Sequence, residues 1–109
     1  MMRLSHCIAA LWLALAPLTA SAQAVTNADV LEWPLGDQHL MASSMVLMLG
    51  HVVALSDEAQ GECILNWYFE DQAKAGAQIL RGISDYPDNQ PSSIVIALAK
   101  RACGEISAP

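Results

Sequence analysis

Between two aspartates, Asp37 and Asp57, the chain reads "DQHLMASSMVLMLGHVVALSD", and from Gln38 to Ser56 it holds no Lys, Arg, Asp or Glu. Met41, Met45, Met48, Val52 and Leu55 recur at steps of four and three, which is one face of a helix. Leu40, Leu47 and Ala54 flank that face, and Val46, Leu49 and Val53 lie on the other side. A helix that is apolar nearly all round is either the buried centre of a domain or part of an oligomer interface. A bilayer span is the third possibility. Gln38, His39, Ser43, Ser44, Gly50 and His51 dilute this stretch, and acidic residues bracket it where spans carry basic anchors. The segment is therefore read as a helix of a water-exposed domain, capped by Asp37. Its methionines are read as core filler rather than a soft-metal stripe, because neither a free thiol nor clustered histidines accompany them.

The N-terminus, "MMRLSHCIAALWLALAPLTASAQAV", has a short basic end at Arg3 and an apolar run from Cys7 to Leu18. The small residues Ala20-Ser21-Ala22 then fit a leader-peptidase site. That run is too short to cross a bilayer and no basic stop-transfer cluster follows, so residues 1–22 are expected to be a cleaved secretory signal peptide. Removing 22 of 109 residues leaves a single domain of 87, residues 23–109, near the size where a hydrophobic core alone is barely adequate. Arg3 leaves with the leader, so four basic side chains face eleven acidic ones, a net charge of −7. Such acidity argues against nucleic acid and anionic lipid as partners.

Export also decides how the cysteines are read. Cys7 departs with the leader, and Cys63 and Cys103 remain, an even number in an oxidising compartment. They are expected to form a disulfide. A nucleophilic cysteine needs a nearby base, and beyond the leader only His39 and His51 are on offer. A metal site needs clustered ligands, and no C-x-x-C or H-x-x-x-H pattern occurs.

Three further helices are expected. "TNADVLEW" starts with a capping Thr26 and an acidic first turn at Asp29, and Pro34 ends it. "SDEAQGEC" is read as a polar loop. After it, "EDQAKAGAQILRGISDYP" forms a helix with Glu70 and Lys74 as an i,i+4 pair and with Phe69, Ala73, Gly76, Leu80 and Ile83 along one side. Pro91 opens the last helix, "SSIVIALAKRAC", with Val95, Ala99 and Ala102 as its more buried line; Lys100 and Arg101 fill its last turn and Gly104 stops it. Short loops make consecutive helices antiparallel neighbours. The expected architecture is all-α: a small bundle of four main helices, with the disulfide closing the C-terminal helical hairpin.

No catalytic chemistry stands out. Asp57, Glu58 and Glu62 lack the alternate spacing and glycine of a calcium loop, and the serines have no G-x-S-x-G context. No catalytic residue, metal or cofactor is assigned. Aromatics beside acids suit a protein interface, so Asp57, Glu58, Glu62, Trp67, Tyr68 and Glu70 are the expected partner-facing set. The competing reading packs Trp67, Tyr68 and Phe69 over the disulfide.

The order and spacing of "LMLGHVVAL", "CILNWYFEDQ" with Gln72 nine residues after the cysteine, "ISDYP" and "SSIVIALAKRAC" resemble the Rap/Tai family. These are periplasmic immunity proteins that neutralise peptidoglycan amidases delivered by type VI secretion. The similarity covers about residues 45–104. Leu65 stands where the family often has proline, and Trp33 and Ser44 stand where its earlier cysteine pair would fall. The resemblance implies an all-helical, commonly dimeric periplasmic domain, not an enzyme, that binds a toxin amidase and blocks its catalytic cleft. The alternatives are a small helical periplasmic chaperone of the acid-stress kind, and a family member with a role other than immunity. Chaperones of that kind tend to be rich in lysine, and this chain has only Lys74 and Lys100.

Overall fold

The computed structural model describes residues 24–106; the expected signal peptide lies outside the described residues. Five helices follow one another: α1 Asn27–Leu31, α2 Leu35–Ala54, α3 Glu58–Phe69, α4 Gln72–Asp85 and α5 Pro91–Cys103. Among the described residues there is no strand. The fold is the expected all-α bundle of four main helices, with short α1 as an addition and a Cys63–Cys103 disulfide. No helix of the described residues is long and apolar enough to cross a membrane.

Local chemistry explains most helix ends. Thr26 and Asp29 form a reciprocal capping box: the Thr26 hydroxyl accepts from the Asp29 N–H, and the Asp29 carboxylate accepts from the Thr26 N–H at 3.0 Å. At α2 the start differs from expectation. Pro34 is the N-cap, and its carbonyl accepts from the N–H groups of Asp37 and Gln38 at 3.0 and 3.1 Å. Asp37 thus lies in the first turn, where its charge still suits the dipole. The stretch from Ser56 to Glu62 is not a polar loop. Asp57 caps a helix there, accepting from the Gln60 N–H at 3.1 Å, and Cys63 sits in the middle of α3. Asp71 does the same for α4, accepting from the Lys74 N–H at 3.1 Å. The helical path therefore breaks at Glu70 and Asp71, and the expected Glu70–Lys74 pair does not form. Among the described residues the ion pair present is Lys100–Glu105, at 3.7 Å on an exposed surface. At the far end Gly104 has φ 86°, a left-handed stop that a side chain would strain.

The core consists of Val30 from α1; Ala42, Val46 and Val53 from α2; Ile64 and Tyr68 from α3; Ala75, Ile79 and Ile83 from α4; and Ile94, Val95 and Ala99 from α5. On α4 and α5 the inward line differs slightly from expectation: Ala75 replaces Ala73, and Ala102 is exposed. On α2 the difference is larger. The inward face is Gln38, Ala42, Val46, Gly50 and Val53, whereas Met48 is 67% exposed and Leu55 84% exposed. The reason is clearance. A Cβ on Gly61 would sit 2.5 Å from the Gly50 carbonyl oxygen and 2.5 Å from the Ala54 Cβ, and a Cβ on Gly50 would strike Leu65. α2 and α3 cross nearly backbone to backbone, and only the small-residue face of α2 permits that approach. His51, expected at the core edge, is exposed.

Two side chains fasten α1. Asn27 is fully buried; its backbone N–H donates to the Asn89 carbonyl at 2.7 Å and its Nδ2 to the Tyr86 carbonyl at 2.8 Å. The Ala28 N–H donates to the Pro87 carbonyl at 3.0 Å. At the other end of α1, Gln38 Nε2 donates to the Trp33 carbonyl at 2.9 Å, which satisfies backbone that the end of a helix leaves unpaired. The disulfide joins the middle of α3 to the last residue of α5 with Cα atoms 5.9 Å apart. Gln60, one turn before Cys63, donates to the carbonyls of Gly104 and Glu105, so the tail beyond α5 is held on α3 as well.

Two stability measurements follow. Gly61→Ala is expected to lower the unfolding free energy by about 1–3 kcal/mol through overpacking, against the roughly 1 kcal/mol gain alanine brings at an open helix position. Urea denaturation checks this, and a variant as stable as the parent would remove the close crossing from the account. Replacing Cys63 and Cys103 together by serine opens a loop spanning 40 residues. That is expected to cost about 4 kcal/mol on the chain-entropy estimate and to lower Tm by roughly 15–30 °C.

Candidate functional site

Because α2 turns its small residues inward, its large ones face out. Leu40 is 65% exposed and Leu47 45%; with Met48, Val52 and Leu55 they form an open apolar face. Between α2 and α5 this face sinks into a groove of about 520 Å³ floored by Met41, Met45, Leu49, Val95 and Ile96. Polar demand along it is low. The Ser44 hydroxyl donates to the Leu40 carbonyl at 2.7 Å and that of Ser43 to the His39 carbonyl at 3.0 Å, so both are satisfied within the helix. A shallower notch at Trp33, Pro34, Asp37, Leu40 and Met41 continues the face toward the start of α2, where Asp37 brings a carboxylate to its edge. Leu40, Leu47, Met48, Val52, Leu55 and Ile96 together leave on the order of 600 Å² of apolar surface in water, the upper range for an ordinary monomer and typical of interaction sites.

The residues expected to face a partner divide three ways. Glu58, Glu62 and Glu70 are exposed. With Asn66 and Phe69, the two residues Glu58 and Glu62 trace one outward stripe of α3 at helical spacing, and Phe69 is 41% exposed. Asp57 is exposed too, but its carboxylate is engaged as the α3 cap. Tyr68 does not belong to the set. It is 3% exposed and packed in the core, its ring 4.9 Å from that of Phe69 in an edge-to-face arrangement, because the α3 register turns it toward α4. Trp67 is half-buried against the core and forms one wall of a second concavity.

That concavity, about 670 Å³, runs between α4 and α5. Arg81 and Arg101 line it, together with Gln78, Asp85, Tyr86 and Asn89 above a floor that includes Ile94 and Leu98. Nothing in the reading of the sequence singled these residues out. Two signals were available: arginine is scarce in the chain, and the hairpin of α4 and α5 brings both remaining arginines to one side. No group of three or more His, Cys, Asp or Glu close enough to hold a metal occurs among the described residues. With the sulfurs of Cys63 and Cys103 joined in the disulfide, neither of these two is a thiol nucleophile. The surfaces on offer are an apolar face, an acidic stripe and an arginine-lined trough. Comparison with protein-family models, with curated proteins and with solved structures gives no match, so the site is read from its own chemistry.

Proposed function

We propose that this chain is a periplasmic binding protein of immunity type, which self-associates through α2 and neutralises a secreted peptidoglycan amidase by covering its catalytic cleft. The observation that carries the reading is the mostly apolar face left open along α2 of a covalently stapled bundle. Burying it requires another protein surface, and a second copy of the same face fits best. Beyond the first-turn Asp37 and the exposed His51 the face is apolar, and α2, at 20 residues, offers about 30 Å of continuous contact. Its exposed apolar area, on the order of 600 Å², approaches the roughly 800 Å² each partner contributes to a standard interface. Two-fold pairing places each face on its own copy, the commonest symmetry of soluble oligomers.

Self-association through α2 leaves the outward stripe of Glu58, Glu62 and Phe69 on α3 for the enzyme. Carboxylates flanking an aromatic anchor supply steering and a hot spot for a basic cleft rim. The resemblance of residues 45–104 to the Rap/Tai pattern supports this assignment, as does a disulfide in keeping with an oxidising compartment.

The oligomeric state and the partner are checked separately. Sedimentation of the parent chain is expected to give a dimer, and Met48→Glu with Leu55→Glu a folded monomer, since both side chains are exposed and leave the core alone. A monomeric parent would sink the pairing. In a pull-down, a co-encoded secreted amidase is expected to bind at neutral pH and to lose activity in the complex. Suppression of client aggregation seen only near pH 3, with no hydrolase bound, would transfer the function to the acid-stress chaperone reading.

A further inference from the structure

We propose that the trough between α4 and α5 is a docking site for an extended acidic segment of a partner protein, with two carboxylates three residues apart. The charge distribution is the starting point. Residues 24–106 contain eleven acidic and four basic side chains, and two of those four, Arg81 and Arg101, line this one trough. Neither arginine has an ion-pair partner; the pair present among the described residues is Lys100–Glu105. In a chain this acidic, two open guanidinium groups in one concavity are an anion site waiting for carboxylates.

The register of the helices gives the spacing. A Cβ on Gly82 would lie 2.6 Å from Ile94 Cγ2, so these two positions face each other directly. The turn from Tyr86 to Gln90 makes α4 and α5 antiparallel, which sets Arg81 level with Val95. Arg101 lies six residues further along α5, an offset of about 9 Å along the trough at 1.5 Å per residue. Asp85, the one acid lining the trough, stands one helical turn beyond Arg81 on α4, about 6 Å along the axis and not paired with it, and about 15 Å along the axis from Arg101. The Arg101 end of the trough therefore has no acid of the trough beside it, and Arg81 has one, Asp85, with which it forms no ion pair.

An extended segment in the polyproline II conformation matches that ruler. It repeats every three residues at about 3.1 Å per residue, so side chains at i and i+3 point the same way about 9 Å apart. The wall and floor suit it as well. The Trp67 indole beside Ile94 and Leu98 offers the aromatic, apolar surface on which such segments pack. Gln78 and Asn89 add amide groups able to bond an exposed backbone. A small free anion would meet one guanidinium and leave the rest of a 670 Å³ trough unfilled. This site is independent of the α2 face and of the immunity reading.

Calorimetry on the disulfide-intact chain tests it, using a capped peptide with a Glu-Pro-Pro-Glu core at low ionic strength. Binding is expected to weaken about tenfold for Arg81→Gln, for Arg101→Gln and for the Gln-Pro-Pro-Gln peptide, and to weaken with added salt. Both arginines are exposed, so unchanged circular dichroism and Tm are expected to accompany the loss. Met48→Glu is expected to bind the peptide like the parent, which separates this site from the α2 pairing. No binding by the parent, or equal binding by the double arginine variant, overturns the proposal. So does glutarate or inorganic phosphate binding as tightly as the peptide, which would mark a free-anion site instead.

Discussion

The contact on which the rest of the structure depends is the one with the fewest side-chain atoms. Where α2 meets α3, Gly50, Ala54 and Gly61 leave no room for a further methyl group. That clearance selects the face α2 turns inward, and the selection has two results at once. It lets the small residues Ala42, Val46 and Val53 form the centre of the core, and it expels the methionines and leucines that hydrophobicity alone would bury. An exposed apolar face is usually costly to a small domain. Here it is the counterpart of a close helix crossing: the small residues of α2 pack inward and its large apolar ones face out.

A core of mostly Ala, Val and Ile is light for a chain of this size, and the remaining constraint is supplied locally. Four of the five helices start with either an Asp or Thr side chain accepting a backbone N–H or a proline at the first position. The disulfide and Gln60 fasten the same end of the bundle, where α3 and the tail beyond α5 meet. At the opposite end Asn27 and Gln38 fill the same role with hydrogen bonds instead of a covalent link.

How much of this could be read from the sequence depended on whether the signal was local. Thr26 with Asp29, Pro91, and Gly104 mark helix ends through their own chemistry, and α1 and α5 were legible for that reason. The disulfide was legible by counting, since two cysteines remain once the expected leader is set aside. α3 was missed because Gly61 and a run of polar residues read as loop, although Asp57 and Gln60 stand at capping-box spacing. Gly61 is helical for a tertiary reason, its contact with α2, which no local pattern encodes. The inward face of α2 was illegible because every face is apolar, and periodicity discriminates only when one side is polar. Of the expected partner-facing residues, the acidic ones are surface groups by necessity, whereas Tyr68 turned inward with the register of a helix that had not been recognised. The arginine trough is non-local altogether: twenty residues separate Arg81 from Arg101, and only the hairpin register places them together.

The bridge between positions 63 and 103 divides the molecule unequally. It ties off the second half of α3, all of α4 and all of α5, and leaves α1 and α2 outside the ring. A chain that begins to come apart sheds its N-terminal pair first, since no covalent tether opposes that step. The piece set loose is then the stickiest one, a twenty-residue rod free of lysine, arginine and glutamate and charged only at its first turn. Because that rod also carries Ala42, Val46 and Val53 of the core, its departure undoes the packing of the closed ring as well, and the oxidised protein is expected to come apart from its N-terminal end.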